Sequence, residues 1–149
     1  MLRTVLAITA IAIGVMAVAA QSNPVEERNA LMKSMWRDAW GPVTRMAQGK
    51  EPYDQAKADA GFARAIEIAE KARPLWPDSA KGNAANAQFG STAKVWENKS
   101  DFNSKFTDFL REANANRPKA TSLDGLKAAF VPVDKSCDNC HETYRVRLR

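Results

Sequence analysis

The stretch Leu123-Asp124-Gly125-Leu126-Lys127-Ala128-Ala129-Phe130-Val131-Pro132-Val133-Asp134-Lys135-Ser136-Cys137-Asp138-Asn139-Cys140-His141-Glu142-Thr143-Tyr144 decides the fold. Within it Leu123, Leu126, Phe130, Val133, Cys137, Cys140 and Tyr144 recur at spacings of three, four, three, four, three and four. That period describes a helix with one continuous apolar seam turned toward a core. Thr121 and Asp124 flank its start in capping-box spacing, and Pro132 is a candidate bend. Both cysteines lie on the seam, so whatever they hold sits inside the protein rather than on its surface.

The end of the same stretch, Cys137-Asp138-Asn139-Cys140-His141, is a C-x-x-C-H run, the pattern of covalent c-type haem attachment. Two thiols three positions apart on a helix each add across one vinyl group of the porphyrin. The next residue then offers an imidazole to the iron from the same side. The chain has two cysteines and one histidine, all within this pentad. A dithiol redox pair is usually set near a βαβ pattern, and none is visible. Structural zinc takes four nitrogen or sulfur ligands, and these three residues are all the chain offers. A plain disulfide suits an oxidising compartment but leaves the histidine unexplained.

Three further helices are read outward from this one. The first opens with Asn23 as N-cap, Pro24 at its first position and Glu26 three after the cap. Its stripe is Met32, Met35, Ala39, Val43 and Met46, with a kink expected at Gly41-Pro42 and an end at Gly49. The second spans residues 53–73, with Phe62, Ile66 and Ala69 on one face and Pro74 and Pro77 as stops. A long connection containing Gly82, Asn83, Asn86 and Gly90 follows. The third spans residues 93–115, with Phe102, Phe106, Phe109 and Ala113 on its stripe. No segment alternates with period two for long. The expected fold is all-α, an antiparallel up-down-up-down four-helix bundle with haem c bound near the C-terminus, a class that commonly builds cofactor sites between facing helices.

Residues 1–20 read as a secretory signal peptide: Arg3 in the positive region, an apolar run over residues 4–18, and Val18-Ala19-Ala20 as the cleavage site. An uncleaved anchor is the alternative, but the run is short for a membrane span. Residues 21–149 then form one exported domain, expected in the periplasm with no membrane span of its own. The formal charge is +5 before Arg3 is removed. Much of it lies in Arg145, Arg147 and Arg149, a basic tail that suits an acidic redox partner or is a plain solvated surface. Nucleic acid is excluded as a partner by export and by the lack of any recognised motif.

With His141 the lone histidine, the sixth iron position falls to a methionine, to a weaker donor, or to nothing. Beyond residue 20 the methionines are Met32, Met35 and Met46. In an up-down bundle the start of the first helix and the end of the fourth share one end. Met32 and His141 each lie eight residues from that end, roughly 12 Å along the axis. Met46 lies about 20 Å further on and Met35 one turn off level, so both read as core filling. Met32 reads as the ligand, with an uncoordinated pocket wall as the alternative. Arg28, one turn before Met32, and Arg145, one turn after His141, are candidate partners for the haem propionates; surface arginines are the alternative. Trp36 and Trp40 find no place in this pattern.

On these residues the chain resembles the cytochrome c-prime superfamily, the class II c-type cytochromes. The resemblance spans nearly the whole mature chain. It is carried by Arg28-Asn29-Ala30-Leu31-Met32-Lys33, Gly49-Lys50-Glu51-Pro52-Tyr53-Asp54, Val95-Trp96, Leu126-Lys127-Ala128-Ala129-Phe130 and the run from Cys137 to Arg145. It implies an exported bacterial four-helix bundle with haem near its C-terminus. High-spin members leave the distal site open and bind small gases. The low-spin cytochrome c-five-fifty-six branch uses a methionine of the first helix as sixth ligand. Leu31-Met32-Lys33 and Leu75-Trp76-Pro77-Asp78-Ser79 look more like that branch. The resemblance also implies pairing into a homodimer through the first two helices, as members often do. Two functions follow: an electron carrier with His141 and Met32 as axial ligands, or a five-coordinate protein binding NO or CO. An enzyme is the poorer reading, since no distal histidine and no catalytic constellation is present.

Overall fold

A computed structural model describes residues 23–149; the expected signal peptide lies outside them. The elements are α1 (Pro24–Ser34), a π-helical segment (Met35–Trp40), α2 (Gly41–Ala47), α3 (Gln55–Ala72), β1 (Phe89–Ser91), α4 (Lys94–Glu97), α5 (Lys99–Asn116), α6 (Leu123–Tyr144) and β2 (Arg145–Arg147). Short 3-10 turns at Asp78–Ala80 and Arg117–Lys119 lie in the connections. The unit α1–π–α2 forms one rod; α3, α5 and α6 form the other three. Each rod packs on its neighbours around a closed square: the first on α3, α3 on α5, α5 on α6, and α6 on α2.

Polar ties at the two ends show the antiparallel order. At one end Tyr53 Oη donates to Ala120 O at 2.9 Å, and Arg117 pairs with Asp59, joining the α2–α3 and α5–α6 turns. At the other, Trp96 Nε1 donates to Pro77 O at 3.2 Å and Trp76 Nε1 to Ser91 Oγ at 2.8 Å. No helix among the described residues is long and apolar enough to cross a membrane.

The caps explain where the rods begin. The Asn23 side chain accepts from Val25 N–H, Asp54 from Lys57 N–H and Ser122 from Gly125 N–H, each satisfying a donor the first turn leaves free. Ser122 rather than Thr121 is therefore the cap of α6, and Leu123, 36 % exposed, lies outside the seam. Leu126, Ala129, Val133, Ser136 and Tyr144 are its buried face. α6 runs as one helix through Pro132. The third rod is broken at Asn98 into α4 and α5, where the sequence reads as one helix; Asn98 adopts φ −129°, ψ 60°.

The first rod meets Gly41-Pro42 in a specific way. Proline removes an N–H and crowds the carbonyl four residues back. The chain widens into the π segment, with Gly41 N–H donating to Trp36 O five residues back. A Cβ on Gly41 would lie 2.3 Å from that same oxygen, so only glycine fits. The wide turn turns Trp40 inward, 4 % exposed, and leaves Trp36 61 % exposed. Trp40 meets Phe62 edge-on at 5.2 Å and stacks on Phe130 at 5.4 Å, joining three rods. Its indole N–H donates to Asp134 Oδ1 at 2.9 Å.

A small antiparallel ribbon lies outside the helical pattern. β1 pairs β2 with register Phe89↔Arg147, Gly90↔Val146 and Ser91↔Arg145. Leu148 N–H donates to Gln88 O at 3.0 Å and continues the pairing.

Candidate haem site

The four rods line a cleft near the end of α6 that is partly open to solvent, with a cavity of about 80 Å³. Cys137, Cys140 and His141 of α6 line it, facing Met32 of α1. Met35, three residues on and on the same helix face, lines it as well rather than filling the core. Met46, 1 % exposed, packs in the main core. Phe106, Phe109 and Lys105 of α5 and Ala69 of α3 complete the wall. The phenylalanines were visible in the sequence as a stripe. Lys105 was not, because a lysine beside a core stripe reads as solvated surface.

Burial sets the chemistry of the three α6 groups. It lowers the His141 pKa to about 4, helped by the nearby Arg145 charge and opposed by Asp138. The imidazole is therefore neutral at neutral pH, with a ring nitrogen free to bind iron. Burial raises the Cys137 thiol to about 12, with Asp134 and Asp138 adding to it, and Cys140 to about 11, with Lys105 opposing. Both are free thiols held protonated, unlike the acidic thiolates of redox pairs. Among the described residues no group of three or more His, Cys, Asp or Glu is arranged to hold a bare metal ion. Two unionised thiols, one neutral imidazole and a thioether around an apolar cleft are a donor set that fits haem c.

The end of α6 is pinned, which fixes His141. Thr92 N–H donates to Tyr144 O and Thr92 Oγ1 to Thr143 O, both at 3.0 Å, closing carbonyls that a helix end leaves open. Tyr144 is buried against Phe102 at 5.1 Å, and its hydroxyl donates to Asp101 at 2.5 Å. Burial, then that bond, raises the phenol to about 12. Asp101 also lies 3.7 Å from Lys105, so the cleft lysine and the last residue of the haem helix share one carboxylate.

Arg28 is 4 % exposed. Its guanidinium donates to Leu75 O at 2.9 Å, Ala80 O at 3.0 Å and Gly82 O at 2.5 Å, clamping the α3–α4 connection. It lies 5.5 Å from the centres of both the Trp76 and Trp96 rings. No carboxylate pairs with it among the described residues. Arg145 is exposed on β2, its guanidinium 5.0 Å above the Phe89 ring. Arg28→Met is expected to destabilise the protein by about 2 kcal/mol, since three charge-assisted bonds vanish. A lower melting temperature and faster tryptic cutting at Lys81 are the readouts.

The family model described as Cytochrome C' matches residues 23–145. The chain is 34% identical over 149 residues to cytochrome c-555 of Bradyrhizobium diazoefficiens, covering 100% of both chains. It is 36% identical over 146 residues to cytochrome c-556 of Rhodopseudomonas palustris, covering 97% of each. The structure of oxidised cytochrome c556 from R. palustris superimposes with a TM-score of 0.75 at 33% identity, covering 87% of this chain and 100% of that one. A C-x-x-C-H motif facing the cleft of a four-helix bundle, in a chain matched along its length by these relatives, makes the chain a member of the cytochrome c' family that carries covalent haem c.

Proposed function

We propose that the protein is an exported electron carrier in which Cys137 and Cys140 hold the haem and His141 and Met32 are its axial ligands. The observation that carries this reading is that Met32 and His141 line one cleft from two adjacent rods, together with both cysteines. The bound haem supplies a one-electron couple. The chain's own residues set its conditions. Neutral His141 and the Met32 thioether are both uncharged donors, a pairing that favours a high potential. Phe106 and Phe109 line the cleft and would exclude water from a bound haem, and the pinned end of α6 would limit rearrangement when the electron moves. Arg145, whose charge acts on His141, is the partner we assign to a haem propionate; Arg28, held by three carbonyls and absent from the cleft wall, serves the fold.

Export to the periplasm rests on residues 1–20 and on the site of c-type haem maturation in bacteria. It is tested by the mature N-terminus, expected at Gln21. The ligand assignment is tested by optical spectroscopy. The wild type is expected to give a sharp low-spin reduced spectrum that resists CO. Met32→Ala is expected to turn high-spin and take up CO promptly, while Met35→Ala stays low-spin. A low-spin Met32→Ala protein removes Met32 as ligand. A wild type that is high-spin and binds CO at once makes the protein a gas binder, with Met32 and Met35 as its distal wall.

A further inference from the structure

We propose that the β1–β2 ribbon is the surface through which this cytochrome docks an electron-transfer partner, a protein presenting carboxylates around an apolar spot. The inference rests on the electron-carrier reading above. Directly opposed residues of an antiparallel pair project to the same face. The register therefore puts Phe89, Ser91, Arg145 and Arg147 together on one side of the ribbon. Phe89 is 41 % exposed and lies under the Arg145 guanidinium. An exposed aromatic ring among arginines is the composition of an interface anchor.

The ribbon and the residues after it gather Arg145, Arg147 and Arg149 within five positions. Arg37, Arg45, Arg64, Arg111 and Arg117 each lie within salt-bridge distance of a carboxylate. Arg147 and Arg149, the two not assigned to the haem, pair with none among the described residues. Free positive charge of this kind attracts an acidic surface and orients the encounter. The ribbon also continues straight from α6, with Arg145 four residues beyond His141, and it is held rigid by the Thr92 and Leu148 bonds. A partner seated there lies at the end of the helix that carries the haem. An anionic bilayer is the poorer occupant: Phe89 and Val146 sit on opposite faces, which leaves no broad apolar side to insert.

The test uses the reduced holoprotein and hexacyanoferrate(III) in stopped flow. Each event takes one electron from the cytochrome and gives hexacyanoferrate(II), with no bond made and no proton moved. The ribbon variant Arg147→Glu/Arg149→Glu is compared with Lys50→Glu/Lys57→Glu, an equal charge change at the α2–α3 turn and the first turn of α3. At about 10 mM ionic strength the ribbon variant is expected to react about tenfold more slowly, and the control within about twofold of wild type. With the cationic oxidant tris(phenanthroline)cobalt(III) the ribbon variant becomes the faster one. Both differences vanish near about 0.5 M salt. Arg147→Gln, which perturbs the ribbon least, is expected to fall between wild type and the double variant.

Equal slowing by the ribbon and control variants overturns the proposal, because only net charge then matters. Unchanged rates, with salt-sensitive sedimentation on phosphatidylglycerol vesicles lost in the ribbon variant, overturn it in favour of a bilayer. Prompt CO uptake by the wild type is a separate failure, that of the electron-carrier reading itself.

Discussion

The double variant Cys137→Ala/Cys140→Ala is expected to lose all covalently bound haem, leaving a blank lane when a denaturing gel is stained for haem. These are the chain's only thiols, and both face one cleft. Each single variant keeps one thioether and leaves one vinyl group conjugated with the porphyrin. Its pyridine haemochrome is therefore expected to absorb at longer wavelength than that of the wild type. Haem that survives denaturation in the double variant would remove both cysteines from the site. The double variant should also melt well below the holoprotein, because a group that binds only the folded state stabilises it.

Phe62→Ala is expected to destabilise the holoprotein by roughly 3–5 kcal/mol, lowering its melting temperature by roughly 10–20 °C. Phe62 is fully buried on α3, edge-on to Trp40. Next to it a Cβ on Gly61 would lie 2.4 Å from Val43 Cγ2, so α2 and α3 are already in close approach. The rods cannot move together to fill the space that the lost ring leaves. Trp40 cannot tilt into it either without losing its stack on Phe130 and its bond to Asp134. Phe62→Leu refills much of the volume and is expected to lose much less. Thermal melting of both variants checks the pair. A loss below about 1 kcal/mol for Phe62→Ala would mean that the three rods do relax around the site.

Much of this could be read from the sequence because the signals were long or chemically specific. The seam from Leu126 to Tyr144 persists over five turns, long enough to fix both the helix and its inward face. The C-x-x-C-H run needs no fold to be recognised. Shorter signals were lost. Leu123 has the right spacing but sits in the first turn, beyond the reach of the core. Asn98 breaks the third rod through its own backbone angles, which no period records. Gly41-Pro42 announced a disturbance, but its form, a π segment that separates Trp36 from Trp40, depends on what α3 and α6 offer in contact. The ribbon was invisible because three residues cannot show a period, and Arg145-Val146-Arg147 reads as a polar tail. Lys105 and Met35 reach the cleft through the packing of whole rods, which spacing on one helix does not reveal.

The π segment has a consequence for how this lineage can change. One extra residue in a turn marks a joint in the first rod, although Met32, Met35, Ala39, Val43 and Met46 still face one core across it. Residues 24–34 carry Met32 and the Arg28 clamp and pack on α3, while residues 41–47 pack on both α3 and α6. Selection can therefore act on each half separately. A descendant could exchange the group at Met32, and with it the behaviour of the iron, while the half that begins at Gly41 keeps its sequence and the bundle keeps its shape.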